Sequence, residues 1–146
     1  MLVGKFMSSP VISATPETTI REAAEYMRAH NVGALPVLRP QRAVGILTDR
    51  DIVLRALAAP GCALGPGTPV GDIMSREILT CFADQEVVAA AAVMGERRVR
   101  RLLVIDRSGG PVGVLSVCDI AEHVSEEVAG QAMGEISEKR ARDVRG

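Results

Sequence analysis

An internal repeat constrains the fold of this 146-residue chain more than any other feature of its sequence. At an offset of 67 positions Met27 aligns with Met94, and one inserted turn residue raises the offset to 68 in the last part of each copy. There the stretch VGILTDRDIV, residues 44–53, aligns with VGVLSVCDIA, residues 112–121. Self-similarity at a fixed period marks consecutive copies of one structural unit. The chain is therefore predicted to contain two units with the same order of helices and strands.

Each copy predicts a β-α-β-β-α unit, which places the chain in the α+β class. The first helix of copy one follows Thr19, and Thr19 together with Glu22 matches the capping-box sequence. Its apolar residues recur every three or four positions, as on the buried face of a helix. The second helix of each copy begins at a Thr or Ser that is followed three residues later by Asp. The predicted strands are PVISA, GALPVL and AVGILT (10–14, 33–38 and 43–48) and then EILTC, RRLLVI and PVGVLS (77–81, 100–105 and 111–116), and the apolar helix positions are Ile20, Ala23, Ala24 and Met27.

The size of one copy predicts that the two copies fold together. A unit of about 50 residues is too small to bury both faces of its sheet, so the two copies are expected to cover each other. We assign residues 5–58 to the first copy and residues 70–125 to the second. Residues 59–69 between them are rich in Gly and Pro, as a linker is. Residues 126–146 form a charged tail, for which a helix, a frayed end and a dimer contact are all open.

The composition limits which residue types can form the core and which classes of partner the protein can bind. Hydrophobic residues make up 47% of the chain but aromatic residues only 2%, so the core must be aliphatic. Recognition of RNA by base stacking needs aromatic side chains and is not expected. A net charge of −1 and a pI of about 6.1 give no positive field for nucleic acid or for an anionic membrane. No apolar run is long enough to predict a membrane span.

The reactive side chains form no pattern typical of an enzyme or a metal site. His30 and His123 are isolated, and neither paired-Cys zinc spacing nor a nucleophile elbow occurs. Cys62, Cys81 and Cys118 are scattered, as expected of small buried residues or free thiols in a reducing compartment, with a single disulfide as the alternative. The N-terminal residues lack the apolar core of a signal peptide. We therefore predict a cytoplasmic protein without catalysis, metal or cofactor.

Four motifs in a fixed order give the sequence a resemblance to a known family. HNVGALPV and VGILTDRDIV in copy one, with VRRLLVID and VGVLSVCDI in copy two, resemble a tandem pair of CBS domains. The resemblance covers Lys5 to Val124 and is closest to small stand-alone prokaryotic members. It implies two units packed sheet to sheet about a pseudo-twofold axis, with two clefts between them. It also implies a homodimer, because two such pairs commonly associate into a disc.

The family resemblance implies a regulatory function. Many members bind adenosine-containing ligands such as AMP, ADP, ATP or S-adenosylmethionine in these clefts, and a separate effector protein would read the resulting change. The alternative is a structural or stress-related dimer that acts through its surface while its clefts stay empty. An enzyme is disfavoured by the missing catalytic pattern, and a metal-binding or nucleic-acid-binding module ranks lower still.

The hydroxyl and carboxylate at the start of each second helix have two interpretations. Thr48 suits a helix N-cap and Asp51 favours the helix dipole, and Ser116 and Asp119 repeat the pattern. The same groups suit a ligand, because free N–H groups bind phosphate and a carboxylate accepts from ribose hydroxyls. Asp is shorter than the usual Glu of a capping box and is expected to reach back less well, which favours the ligand. In the family this Asp typically holds the ribose.

The resemblance also implies which residues contact the adenine. In the family the first strand of one copy meets the adenine held at the site of the other copy. For each of the residues concerned, the alternative is a plain core position. The residues are Leu79 and Cys81 for the Asp51 site, and Ile12 and Ala14 for the Asp119 site.

Arginines are the candidate ligands for a phosphate. Arg50 lies inside the first motif, and Arg100 and Arg101 open the strand segment RRLLVI of copy two, where paired guanidinium groups suit phosphate. The arginines within 97–101 form a run, so a solvated patch is the alternative. Copy one has no charge at the positions of the Arg100–Arg101 pair, and copy two has Cys118 in place of Arg50. We hypothesise that the site of copy one binds nucleotide better than the site of copy two.

Overall fold

The contacts within the chain divide it into two compact units. The computed structural model describes the backbone of residues 1–40 and 42–145, and the side chains of these ranges as far as residue 137. Each unit combines helices with a small sheet, so the predicted α+β class is confirmed. Unit I is Ile12–Ile78, and unit II combines Met1–Val11 with Leu79–Gly146.

Unit I consists of a helix followed by an antiparallel pair of strands and a second, irregular helix. Helix α1 spans Ile20–His30, strand β1 spans Ala34–Arg39 and strand β2 spans Arg42–Thr48. Strand β2 runs directly into α2, Asp49–Asp51, which continues as the π-helical segment Ile52–Leu57. The predicted passage from strand to helix at the first ligand motif is therefore present.

Unit II contains a three-stranded sheet of order β3-β4-β5 and three helices. Strand β3 pairs in parallel with β4, and β4 pairs antiparallel with β5. The second ligand motif again lies where the last strand passes into a helix. The elements are β3 Thr80–Phe82, α3 Val87–Arg97, β4 Arg101–Ile105, β5 Pro111–Ser116, α4 Val117–His123 and α5 Glu126–Arg145.

The first strand of each copy is shorter than the sequence predicts. In copy one the predicted strand PVISA is reduced to a single parallel bridge between Ala14 and Val37. Residues 10–13 form no bridge to a strand, and a turn in which the Thr18 N–H donates to the Thr15 carbonyl at 3.0 Å ends the pairing directly after Ala14. In copy two the predicted strand EILTC is replaced by the three residues of β3. The prediction of a full strand at PVISA is wrong.

Helix α1 begins where the sequence predicts it. Thr19 Oγ1 accepts from the Glu22 N–H at 3.1 Å, and Glu22 Oε1 accepts from the Thr19 N–H at 3.2 Å, which confirms the capping box. Ala24 is exposed, whereas the other three predicted apolar positions are buried. Those three follow the i, i+3, i+7 line of the helix, and Ala24 falls beside that line. The buried stripe is thus narrower than the prediction.

Each unit includes a short segment from the beginning of the other copy. In unit I, Ser75 forms an antiparallel bridge with Ile46 of β2. In unit II, Ser8 forms the corresponding bridge with Val114 of β5. The Met-Ser segment that begins one copy therefore pairs with the last strand of the other copy. For this reason, the boundaries of the two sequence repeats differ from those of the two compact units.

The glycine that follows the first valine of each VGIL or VGVL stretch is required by this pairing. A Cβ on Gly45 would overlap the Ser75 carbonyl oxygen, and a Cβ on Gly113 would lie 2.8 Å from the Ser8 carbonyl oxygen. Glycine in a strand often marks a place where another backbone approaches closely. The repeated glycine therefore admits the Met-Ser segment to the edge of each sheet.

Each unit has its own aliphatic core, as the low aromatic content requires. The 3₁₀ turns Val3–Lys5 and Val70–Asp72 contribute one valine to each core, at equivalent positions of the repeat. Helix α5, formed by the charged tail, packs on α3 and α4 of unit II. The large side chains that are fully buried are Leu35, Val37, Leu47 and Val70 in unit I, and Val3, Val87, Met94, Leu102, Val104, Leu115 and Ile120 in unit II.

Candidate ligand-binding site

The two predicted ligand motifs have the same geometry. The Asp51 N–H donates to Thr48 Oγ1 at 3.1 Å, and the Thr48 N–H donates to Asp51 Oδ2 at 2.9 Å. The same two bonds join Ser116 and Asp119 at the same two lengths. Both motifs are complete capping boxes. The expectation that Asp reaches back less well than Glu is wrong, because one Asp oxygen lies within hydrogen-bonding distance of the cap N–H in both boxes.

The capping box of α1 shows what the two Asp boxes lack. There the Thr19 hydroxyl accepts from the Glu22 N–H and also donates to Glu22 Oε1 at 2.9 Å. Asp is one methylene shorter than Glu, and the Thr48 and Ser116 hydroxyls donate to no acceptor among the side chains and backbone that the structure describes. In the Asp boxes each hydroxyl therefore keeps its hydrogen for another partner.

One carboxylate oxygen also stays available in each Asp box. Asp119 Oδ2 accepts from the cap N–H, and Oδ1 has no hydrogen bond or ion pair within the described ranges. Asp51 Oδ1 forms an ion pair with Arg55, whose Nε lies 3.7 Å away; this distance is too long for a good hydrogen bond, and the Asp51 side chain is 14% exposed. Each motif thus presents a donor hydroxyl next to an acceptor carboxylate. That pair suits a ligand with neighbouring hydroxyl groups, which both donate and accept.

Arg55 distinguishes the motif of unit I, although the sequence analysis did not single it out. It lies beside Asp51 and donates through Nη1 to both carbonyl oxygens of Ile73–Met74. At the corresponding position of copy two His123 takes its place, with its Nε2 3.5 Å from Glu122 Oε2. The i,i+4 spacing of Asp and Arg at the start of a helix was the available signal.

Two of the three candidate phosphate ligands lie together. Arg100, Arg101 and Ser116 line one cavity of about 410 Å³ in unit II, next to the first turn of α4. Arg101 is half-buried at the start of β4, whereas Arg100 is exposed. Arg50 lies exposed on α2 and forms no ion pair with the side chains described. The structure therefore brings two of the arginines and one cap hydroxyl of copy two to a single cavity.

Residues of α5 that the sequence analysis did not single out complete this cavity. Glu126, Ala129, Gly130 and Met133 line it together with Cys118 of α4. The signal in the sequence is weak, because the tail carries many charges. Small and apolar residues nevertheless recur there every three or four positions, as on a packed helix face.

The residues assigned to the adenine lie in or beside the two cores. Cys81 and Ala14 are buried, and Leu79 and Ile12 pack against the same cores from their edges. Burial raises the pKa of the Cys81 thiol to about 11, so this thiol is protonated at neutral pH. All four positions fit the core interpretation, and their contact with a ligand stays a prediction.

The other reactive groups are dispersed. In residues 1–40 and 42–137, no three side chains of His, Cys, Asp or Glu lie close enough together to hold a metal ion. The three cysteines are free, with Cys62 and Cys118 exposed. His30 ends α1 and His123 ends α4. Within the part of the chain that the structure describes, no helix has the length and hydropathy needed to cross a bilayer.

Comparison with known proteins identifies the family. The sequence matches the CBS domain twice, over residues 3–57 and 70–126, so this chain belongs to the CBS-domain family as a tandem pair. It is 37% identical over 132 residues to the CBS domain-containing protein YhcV of Bacillus subtilis, a match that covers 90% of this chain and 91% of that protein. The resemblance inferred from the four motifs is confirmed.

Solved structures with the same fold include proteins with bound ions and ligands. A crystal structure of Hypoxic Response Protein I with two coordinated zinc ions matches with a TM-score of 0.73 and 36% identity, over 85% of this chain and 99% of that one. The CBS domain protein PAE2072 from Pyrobaculum aerophilum, complexed with AMP, matches with a TM-score of 0.73 and 26% identity, over 94% of this chain and 99% of that one. The fold is thus that of a CBS-domain pair.

Proposed function

We propose that this CBS pair is a regulatory protein that binds an adenosine nucleotide of the AMP, ADP or ATP type and performs no catalysis. The observation that carries the proposal is the pair of Asp capping boxes, in which a hydroxyl hydrogen and a carboxylate oxygen remain available side by side. The vicinal hydroxyls of a ribose match such a donor and acceptor. The AMP in the structure of PAE2072 supports adenosine as the ligand class.

The proposal gives each candidate residue a role. The Asp carboxylates accept from ribose hydroxyls, and the cap hydroxyls donate to the ligand. The arginines donate to phosphate, and the residues of the predicted first strands contact adenine. The residues are Asp51 and Asp119, Thr48 and Ser116, Arg50, Arg100 and Arg101, and finally Leu79, Cys81, Ile12 and Ala14.

Regulation would follow from a difference in affinity between two arrangements of the protein. A nucleotide that binds one arrangement better shifts the population toward it, and a separate effector protein would read the shift. A homodimer and a cytoplasmic location belong to the same proposal. The three free thiols support a reducing compartment.

A structural dimer without ligand is the second candidate. One observation favours it: each Asp box already satisfies the cap N–H and the N–H of its third helical residue, so each motif is sufficient as a helix cap without a ligand. In that case the protein would act through its surface alone. Calorimetric titration with nucleotides separates the two candidates.

Isothermal titration calorimetry tests nucleotide binding directly. AMP, ADP, ATP, S-adenosylmethionine and NAD are titrated into the full chain, and at least one is expected to give a saturable heat and to raise the thermal midpoint. Loss of a hydrogen bond to a charged group costs about 2 kcal/mol, so Asp51→Ala or Asp119→Ala should weaken binding roughly thirtyfold at its own site. No response to any of these compounds would favour the structural dimer.

Glu22→Ala is the matched control. It removes the carboxylate of a third capping box, in which the hydroxyl and the carboxylate are bonded to each other. Its helix loses a similar cap, but the affinity for nucleotide should not change. The hypothesis that the site of copy one binds more tightly predicts a larger loss from Asp51→Ala than from Asp119→Ala. Equal losses from the two variants would contradict that asymmetry.

A further inference from the structure

A cavity in unit I lies at the end of the β1–β2 hairpin where Arg39 and Arg42 pair. Its volume of about 390 Å³ falls within the range of small-molecule pockets, which is about 300–1,000 Å³. Three stretches of the chain form its wall: residues 16–17 before α1, the hairpin, and residues 69–76. The lining contains none of the residues assigned to a nucleotide, so a ligand here would occupy a separate site.

Hydrogen bonds between distant residues hold the backbone around this cavity. The Gly71 N–H donates to the Pro16 carbonyl at 3.0 Å, which joins residues 69–76 to the stretch before α1. The Ile46 N–H donates to the Ser75 carbonyl at 2.9 Å, which joins the same residues to β2. The wall is therefore present without a ligand, and a ligand would bind with little loss of backbone freedom.

Three guanidinium groups line the cavity, and one of them has a carboxylate partner. Arg39 Nη1 lies 2.6 Å from Glu17 Oε1 and holds the pKa of that carboxyl below its ordinary value. The two additional arginines, Arg42 and Arg76, are exposed and form no ion pair with the side chains described in residues 1–40 and 42–137. Arg42 lies directly opposite Arg39 in the hairpin. Like charges at opposite positions repel each other, and a bound anion would relieve that repulsion.

Unit II keeps an ion pair of the same kind but not the additional arginines. Arg107 is held there by Asp84, as Arg39 is held in unit I. At the offsets of the repeat, Gly110 and Ser9 stand in place of the two additional arginines. One ion pair is therefore enough for this part of the fold. The additional arginines are particular to unit I, as expected of a binding site rather than of the shared architecture.

An aspartate in the lining selects among anions. Asp72 is exposed, and its carboxylate has no hydrogen bond or ion pair within the described ranges. A carboxylate accepts hydrogen bonds but repels a bare anion, so Asp72 favours a ligand that carries hydroxyl groups next to its charge. A phosphate monoester has a charge of about −1.5 to −2 at neutral pH, which matches two guanidinium groups better than one carboxylate would.

We propose that this cavity binds a hydroxylated phosphate ester of the sugar-phosphate type. Its phosphate accepts from the guanidinium groups of Arg42 and Arg76, and its hydroxyl groups donate to the Asp72 carboxylate. Val44 and Met74 line the same cavity and pack against the carbon chain of the ligand. The proposal is independent of the proposed nucleotide function, because the two sites share no residue.

An NMR titration of the ¹⁵N-labelled full chain with glucose 6-phosphate tests where the ligand binds. The backbone amides of Gly71, Asp72 and Arg76 should shift in a saturable manner, and those of Thr48–Asp51 should not. Inorganic phosphate should bind at least about tenfold more weakly, because it brings the negative charge without the sugar hydroxyls. The absence of saturable shifts, shifts confined to Thr48–Asp51, or equal affinities for the two compounds would overturn the proposal.

Charge variants test the role of the arginines. Arg42→Gln or Arg76→Gln should weaken glucose 6-phosphate about tenfold. Arg28→Gln removes an exposed arginine of α1 and is the matched control, whose affinity should not change. The urea midpoint of ligand-free Arg42→Gln should not fall, because that variant removes a repulsion. Equal losses of affinity in Arg28→Gln and Arg42→Gln would reduce the effect to net charge and overturn the site.

The aspartate is tested by a change in selectivity. Asp72→Ala should lower the ratio of the affinities for glucose 6-phosphate and inorganic phosphate about tenfold, because it removes an acceptor for the sugar and a repulsion for the bare anion. The ratio is insensitive to a general loss of folded protein, since both ligands would lose equally. A ratio that Asp72→Ala leaves unchanged would overturn the assignment of a hydroxylated ligand.

Discussion

Units I and II begin their second helix with the same capping box and then diverge. After Asp51 the chain of unit I winds as the π-helical segment Ile52–Leu57, which leaves Val53, Leu54 and Leu57 exposed. In unit II the regular helix α4 follows, and α5 packs against it. The duplicated sequence thus keeps the cap, while the elements around the cap differ.

The same divergence changes the electrostatics of the two motifs. In unit I, Arg55 lies beside Asp51 and is itself anchored on the backbone of residues 73 and 74. In unit II, Asp119 has no such neighbour among the side chains that the structure describes, and Arg100 and Arg101 instead lie with Ser116 at the cavity under α5. The same hydroxyl–carboxylate pair therefore lies in two different charge environments.

The largest effect on stability is expected at the glycine that the two units share. Gly45→Ala and Gly113→Ala should each lower the free energy of unfolding by about 3 kcal/mol, because the new Cβ has no room beside the carbonyl oxygen of Ser75 or Ser8. Urea denaturation measures the loss. Gly67→Ala is the control, since no atom lies within 4 Å of its Cβ position. A loss below about 1 kcal/mol in either unit would show that the Met-Ser segment is not held tightly there.

The next largest effect on the free energy of unfolding is expected from the packing of α5 against unit II. Ile136 is 5% exposed, so Ile136→Ala should cost about 2–3 kcal/mol in the free energy of unfolding. Leu57 is 64% exposed in the uncovered segment of unit I, and Leu57→Ala should cost less than about 0.5 kcal/mol. Chemical denaturation of both variants compares them. Similar losses would mean that the segment of unit I is covered in solution.

The two Asp capping boxes should be equal in the absence of ligand. Thr48→Ala and Ser116→Ala each remove the acceptor for an N–H in the first turn, which costs about 1 kcal/mol in the free energy of unfolding. Thr19→Ala should cost slightly more, because its hydroxyl makes two hydrogen bonds. Urea denaturation in ligand-free buffer measures all three. Unequal losses from the first two would show that their surroundings alter the cap itself.

The smallest effect concerns an ion pair that both units contain. Arg39 donates to Glu17 and Arg107 to Asp84, and each arginine holds the pKa of its carboxyl partner below the ordinary value. Because the folded-state pKa is the lower one, this contribution to stability is complete above the unfolded-state pKa and is lost as the pH falls through the folded-state value.

NMR titration of the carboxyl groups measures the pKa of the carboxyl in each ion pair separately. Arg107→Gln should return the pKa of Asp84 toward its ordinary value and leave that of Glu17 lowered. The unchanged Glu17 serves as the internal control. An Asp84 pKa that does not respond would show that the ion pair is not formed in solution.

Several features of the fold could be predicted because they depend on neighbours in sequence. Thr19 and Glu22 lie three residues apart, so their capping box follows from local chemistry. The same is true of the boxes that begin at Thr48 and Ser116. Strands β1, β2, β4 and β5 follow from apolar runs bounded by turn residues. The family could be inferred because these local signals occur twice in the same order.

The errors arose where distant contacts decide the outcome. The strand PVISA fails because only Ala14 comes close enough to β1 to form a bridge, and residues 10–13 stay outside the sheet. Ala24 is exposed because unit I buries a narrow line of α1. Arg55 and the cavity under α5 were missed because their partners lie far along the chain, at Ile73–Met74 and across α4 and β4.

The sequence by itself determined that this protein is a duplicated α+β unit with a helix cap of the form hydroxyl–x–x–Asp in each copy. Periodicity and capping act within a few residues, so one chain suffices to reveal them. Only the tertiary structure decided that each copy lends its Met-Ser segment to the other copy's last strand. It alone decided that the Asp boxes leave a hydroxyl hydrogen available and that α5 covers one copy. The pairing of the Met-Ser segments and the cover by α5 depend on contacts between residues far apart in the chain, which a linear pattern does not contain. The free hydroxyl hydrogen depends on the exact distances within each box, which residue spacing does not give.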